Sequence, residues 1–282
     1  MTSKSESLEI QKATKDLEEI SKEVETPHIS ETSSEESVQS DEEKPNQSDE
    51  EKSTPVNPPR IYLDLDNTLL HAIPTRSFHK KYKDRASKRK IAEALNNIKV
   101  YDMKDDDESY YLVFERPGLQ PFLDYLFSNF TVCVWTAATK DYAAFIIDKI
   151  LLSKPGRKLD HVFVHYHCKK SKKRYGKRHP KELKMLIDHY KLPNMNVKNC
   201  VIIDDHPDVK SQQSHLCVTA PEWTIFDEDT MELKKDAMKD EFLPTVSKGL
   251  AGYLKEFQAK GGVDNPSGII ASTSPSTAVF AM

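Results

Sequence analysis

The chain carries four short apolar runs, at 60–64, 130–135, 162–166 and 201–204, and a weaker one at 216–219. Each is continuous rather than alternating, the pattern of a strand buried on both faces. Between them the spacing turns helical. Leu119, Phe122, Leu123, Leu126 and Phe127 follow Pro117-Gly118, and further helical segments are predicted at 142–152, 181–190 and within 240–258. Two more runs, 98–102 and 110–115, flank Lys104-Asp-Asp-Asp-Glu108 and predict a hairpin with a charged turn. Short buried strands alternating with helices imply an α/β fold, a mostly parallel sheet with helices on both faces. In that architecture ligands sit at the carboxyl ends of the strands.

Charge divides the chain. Residues 1–59 hold 6 Lys+Arg against 16 Asp+Glu, whereas residues 60–282 hold 35 against 29. The acidic segment is rich in Ser, Glu and Lys and poor in large apolar residues. It cannot bury enough apolar surface to offset the entropy of ordering it, so 1–59 is expected to be a disordered tail. A single domain is expected over 60–258, followed by a flexible tail at 259–282. Inside the acidic segment, Ile10, Ala13, Leu17, Ile20 and Val24 follow heptad spacing, a candidate partner helix at 8–25. A tandem repeat places Ser40 and Ser48 before acidic triplets, the pattern of acidophilic kinase sites, and Pro55, Pro58 and Pro59 read as an extended linker.

Several classes are excluded. No stretch approaches ~18 consecutive apolar residues, so no membrane span is expected. The first residues lack a secretory core and are too acidic for a transit peptide. Four cysteines without a CxxC pair predict neither a disulfide scaffold nor a zinc cage. An intracellular protein of the cytoplasm or nucleus, in its own cell or a host's, is expected.

Three strands end in polar residues suited to one reaction. The first runs into Asp64-Leu65-Asp66-Asn67-Thr68, the second into Trp135-Thr136-Ala137, the fourth into Asp204-Asp205-His206-Pro207-Asp208. Clustered buried carboxylates repel and resist ionisation. A divalent cation removes that difficulty, and hard oxygen ligands suit Mg²⁺.

These residues resemble the DxDxT signature of the haloacid-dehalogenase (HAD) superfamily, and within it the FCP/SCP-like phosphatases of the RNA polymerase II C-terminal domain. Leu65-Asp-Asn-Thr-Leu-Leu-His71, Phe114-Glu-Arg-Pro-Gly118, Val134-Trp-Thr-Ala-Ala138 with Tyr142-Ala143, Pro180-Lys-Glu-Leu183 and Val201-Ile-Ile-Asp-Asp205 are similar to that family's elements, in the same order, over 60–258. The resemblance implies a HAD-like Rossmannoid fold with a small β-hairpin insertion after the first strand. It also implies a Mg²⁺-dependent serine/threonine phosphatase working through an aspartyl-phosphate. By the same likeness Asp64 would be the nucleophile and Asp66 the general acid and then base. Thr136 would hold a phosphoryl oxygen and Lys181 would neutralise phosphate and nucleophile. Asp64, Asp66 (through its carbonyl) and Asp205 would ligate the metal, with Asp204 as ligand or support. Thr68, Arg116, Lys177 and Arg178 are the expected substrate-binding residues. Lys177 competes with Lys181 for the lysine's role, and His206 reads as an exposed loop histidine.

Two basic runs frame these motifs. One spans 76–90; the other, 169–184, holds nine basic residues and one acid. They suit an acidic, phosphorylated protein partner, read otherwise as solvated loops, and 169–178 fits a nuclear import signal. No aromatic-interleaved motif supports nucleic-acid binding. A monomer is expected. The rival readings are a phosphatase for phosphotyrosine, nucleic-acid ends or small molecules, and a non-catalytic binding module of the same fold.

Overall fold

The computed structural model describes residues 57–105 and 108–273. The candidate helix at 8–25, Ser40, Ser48 and Pro55 lie outside the described residues. The first strand, β1 (Arg60–Leu63), is followed by β2 (Leu70–Pro74), α1 (Thr75–Lys81), α2 (Arg85–Ala94), β3 (Val100–Asp105) and β4 (Glu108–Glu115). Then come α3 (Leu119–Asn129), β5 (Thr131–Trp135), α4 (Lys140–Ile146, continued by a π-helical turn at Ile147–Leu151), β6 (Val162–Phe163), α5 (His165–Tyr175) and α6 (Leu183–Asp188). The chain closes with β7 (Cys200–Asp204), α7 (Pro207–Gln212), β8 (Cys217–Thr219), α8 (Phe242–Lys260) and α9 (Pro266–Thr273).

The main sheet is parallel, in the order β6-β5-β1-β7-β8. Its faces follow from simple alternation. Ile61, Leu63, Val132, Val134, Val201 and Ile203 pack with residues of α3, α4 and α8. Tyr62, Cys133, Trp135, Cys200 and Ile202 pack on the other side with Cys168 of α5 and with Leu183, Met185 and Leu186 of α6. The register matters for function. Leu63 pairs with Val134 on one side and Ile203 on the other. One residue on, Asp64, Trp135 and Asp204 therefore come level at the carboxyl edge, with Thr136 just beyond.

The expected hairpin is present as β3–β4, and β2 pairs with β4 to make a three-stranded antiparallel sheet. The charged stretch after the first motif is therefore structured. Asp84 caps α2 by accepting the Ser87 amide at 2.8 Å. Ile73, Tyr82, Phe114, Trp223, Ile225 and Phe226 form a separate apolar cluster beneath this insertion.

Three expectations need correction. The run at 162–166 is a strand only at Val162–Phe163, because the Val164 amide donates to His167 Nδ1 at 3.0 Å and starts α5. The helix-forming Lys/Arg run then propagates it, so much of the second basic segment is helix rather than loop. The helix expected at 181–190 begins only at Leu183. Gln213 holds the segment before it in a non-helical path, donating to the Lys181 carbonyl at 2.6 Å and accepting the Leu183 amide at 3.1 Å. Finally, the tail expected from 259 is structured as far as Thr273. Val263 and Ile270 are buried, and α9 packs against the apolar layer that includes α8.

Candidate active site

The site is built where β1, β5 and β7 end. The Asp64 amide still donates to the Ile203 carbonyl at 3.0 Å, so Asp64 is placed by the sheet itself. The chain then turns sharply. Asn67 adopts φ +59°, a left-handed conformation that Asn tolerates better than most side chains. The Asn67 amide reaches the Leu70 carbonyl at 2.8 Å, and the Trp223 amide donates to the Asn67 carbonyl at 2.7 Å. This turn swings Thr68 back under the strand end. Its Oγ1 lies 3.3 Å from Asp64 Oδ2 and 3.1 Å from Asp205 Oδ1, and it accepts the Asp205 amide at 3.1 Å.

Lys181 Nζ bridges two carboxylates, donating to Asp64 Oδ1 at 2.5 Å and to Asp204 Oδ2 at 2.7 Å. The lysine is buried. Burial alone would lower its pKa, but the two carboxylates outweigh that and hold it well above the ordinary lysine value. Asp204 also accepts the His206 amide at 2.9 Å, and the exposed His206 caps α7 by accepting the Asp208 amide. Lys177, the alternative lysine, is exposed.

Asp66 is half-buried and accepts a hydrogen bond from the Tyr142 hydroxyl at 2.6 Å. Burial, reinforced by the Asp64 charge, pushes its carboxyl up to about 6 against the Tyr142 hydrogen bond. Burial and Asp66 in turn hold the Tyr142 phenol above its ordinary value. Tyr111 of the insertion meets the Tyr142 ring edge-on at 5.7 Å. Tyr142 carries no role in the sequence reading. On a helix such a tyrosine reads as a core aromatic, and only the fold brings it to Asp66. Thr136 is buried, and its Oγ1 accepts the Ala138 amide at 3.0 Å. That leaves the hydroxyl proton free to donate.

Asp64, Asp204 and Asp205 place carboxylate oxygens within 4.8 Å of one another. Burial, then the Asp64 charge, pushes Asp204 up to about 6 and Asp205 up to about 7. Three acids crowded into partly dry surroundings, with one lysine among them, retain surplus negative charge. The donor set, all hard oxygen, fits a divalent cation of the Mg²⁺ type.

Arg116 departs from its expected role. It is fully buried and forks onto both oxygens of Asp240 at 2.8 Å. Its remaining bonds go to the Thr68 carbonyl at 2.9 Å and the Pro221 carbonyl at 3.1 Å, and its guanidinium lies over the Phe242 ring. It holds the Thr68 turn from behind rather than facing a substrate. Arg178 is exposed and pairs with Asp208 at 3.4 Å. No helix among the described residues is long and apolar enough to cross a membrane.

A parallel α/β sheet ending in this set of aspartates, threonine and lysine defines a phosphatase of the HAD class. The sequence profile of the NLI interacting factor-like phosphatases matches residues 60–249, and the chain belongs to that family. It is 41% identical over 174 residues to 355R of Invertebrate iridescent virus 6, described as CTD phosphatase-like, covering 60% of this chain and 88% of that protein. The corresponding protein of Invertebrate iridescent virus 3 is 40% identical over 150 residues, covering 51% of this chain and 73% of the relative. Among solved structures, the RNA polymerase II CTD phosphatase Fcp1 shares the fold with a TM-score of 0.52 at 18% identity, covering 76% of this chain and 70% of that one.

Proposed function

We propose that the chain is a Mg²⁺-dependent protein phosphatase for phosphoserine or phosphothreonine in phosphorylated peptides of the polymerase C-terminal-domain type. The observation that carries the reading is Lys181 bridging Asp64 and Asp204, with Thr136 and Asp66 at the same strand ends. Asp64 attacks phosphorus, forming the Asp64 O–P bond as the bond to the seryl or threonyl oxygen breaks. Asp66 gives its proton to that departing oxygen. It then takes a proton from the water that attacks phosphorus and releases phosphate and free Asp64. The Tyr142 hydrogen bond holds Asp66 while burial keeps it proton-bearing nearer neutrality than an ordinary aspartate. Thr136 donates its hydroxyl proton to a phosphoryl oxygen, and Lys181 offsets the charge between carboxylate and phosphate. Asp64, the Asp66 carbonyl and Asp205 would hold the metal, with Asp204 behind them. Bound there, it would neutralise the charge of an incoming phosphate.

The decisive experiment is Asp64→Asn assayed on an aryl phosphate. Turnover and the acid-stable phosphoenzyme should both vanish while the circular dichroism spectrum is unchanged; surviving activity would overturn the assignment. EDTA should silence the wild type and added Mg²⁺ restore it. An array of polymerase-repeat peptides, each phosphorylated at one serine, the threonine or the tyrosine, identifies the preferred residue. Turnover of the tyrosine peptide alone would overturn the serine/threonine reading.

A further inference from the structure

A second group of metal-binding side chains lies on β5 and at the entry to β6. Register pairs Val134 with Val162, so Cys133 and His161 are neighbours, and Asp160 precedes them at the strand entry. Asp160 Oδ2 accepts from Arg60 Nε at 3.3 Å and Cys133 Sγ at 3.9 Å, and His161 Nδ1 lies 2.8 Å from it. The sulfur, nitrogen and oxygen atoms all lie within 4.8 Å of one another. This cluster is chemically unlike the aspartates of the active site, which offer oxygen alone. It is also set back from them, since Cys133 lies inside β5, three residues before Thr136, which follows the strand's carboxyl end. Asp160 is 36% and His161 20% exposed in their side chains, so an ion and a water can enter.

We propose that Cys133, His161 and Asp160 form a Zn²⁺ site, closed by water as the fourth ligand. Thiolate, imidazole and carboxylate are the donors zinc takes, in tetrahedral geometry. Metal binding exchanges the Cys133 thiol proton for the ion. The His161 ring binds through Nδ1, its proton residing on Nε2. One thiolate and one carboxylate then balance the two charges of zinc. Because binding releases the thiol proton, affinity should weaken as pH falls. Arg60 does not compete for the ion. All three existing bonds fall on Oδ2, and an arginine hydrogen-bonded to a ligating carboxylate orients it, as outer partners do around metal centres. The bound ion would tie the 154–161 loop to β5 of the sheet.

The test uses the full chain, stripped with EDTA and reloaded with Mg²⁺, then titrated with Co²⁺ as the optical probe. One equivalent should produce a thiolate-to-cobalt charge-transfer band, which an all-oxygen active site cannot give. The band should vanish in Cys133→Ser and persist in Cys168→Ser. His161→Gln and Asp160→Asn, at partly exposed positions, should retain phosphatase activity and bind Co²⁺ more weakly. Zn²⁺ should bleach the band and raise the wild-type melting temperature. A wild type without the band, a band that survives Cys133→Ser or is lost in Cys168→Ser, or Co²⁺ affinity unchanged in both partly exposed variants would overturn the site.

Discussion

The side chains around Asp64 divide into those that meet the carboxylate cluster and those that hold the turn. Lys181 is of the first kind. Its removal leaves two buried carboxylates facing each other, and Lys181→Met should lower kcat by about 10²–10³-fold, the usual loss for one preorganised charge-stabilising donor, read in steady-state kinetics. Arg116 is of the second kind. Arg116→Met removes the cation paired with Asp240, leaving the Phe242 amide at 3.1 Å as its remaining donor, and should cost roughly 3–5 kcal/mol of stability, measured by urea denaturation, with KM for an aryl phosphate little changed. His71 shows how a motif residue can be purely structural. It is buried, and its Nδ1 accepts the Ile225 amide at 3.1 Å, which requires the neutral ring. Burial, helped by the Lys234 charge, lowers its pKa from 6.5 to about 4. Below pH 6.5 the unfolded chain takes up a proton that the folded chain refuses. Stability therefore falls as pH drops from 6.5 towards 4, by about 3 kcal/mol at most. Denaturation midpoints across that range should be flatter for His71→Asn than for wild type. Asp64, Asp66, Thr136 and the closing acids were legible because strand ends advertise them. Arg116 was not, because its partner Asp240 lies 124 residues away, and an arginine beside a phosphate motif invites a substrate role.

Among elements, α5 joins the site to a basic surface. Its inner face is seated on the site: Cys168 donates to the Thr136 carbonyl at 3.5 Å, and Ser171 accepts the Glu182 amide at 3.0 Å beside Lys181. Its outer face exposes Lys169, Lys172, Lys173 and Arg174. Replacing these four by alanine should reduce kcat/KM for an acidic phosphopeptide roughly tenfold at low salt, the lower end of electrostatic steering. The deficit should close near 1 M salt, where screening acts within ~3 Å, and an aryl phosphate, which lacks the peptide's additional acidic groups, should show little of it. Loss of equal size on both substrates would deny the helix a binding role. The strands of the main sheet were readable because continuous apolar runs have few other uses. The start of α5 was not, since Val162 to Tyr166 is apolar enough to extend a strand, and the His167 ring that stops it is a side-chain cap outside the usual Ser, Thr, Asp and Asn.

The domain is closed at its C-terminal end by α8 and α9, the latter beyond the family-matched region of 60–249. Truncation after Gly262 should therefore destabilise it, by roughly 1.5–3 kcal/mol from Ile270 alone, seen as a lower melting temperature. A Ser, Thr and Gly-rich composition hid this helix, because its seating depends on a few apolar residues, Val263 and Ile270, rather than on a periodic stripe.

The strand order β6-β5-β1-β7-β8 also sets a timetable. β1, which leads directly into Asp64, occupies the centre of the sheet yet is the first strand of it to leave the ribosome. Its neighbours, residues 131–135 and 200–204, follow much later. At about 5–20 residues per second, the second of these emerges roughly 7–28 s after β1. Until β5 emerges both edges of this apolar strand are unpaired, and one stays open until β7 follows, the state most open to pairing with other chains. Yield in the cell should then depend on translation speed and on chaperones that shield nascent strands, more than on the stability of the finished fold.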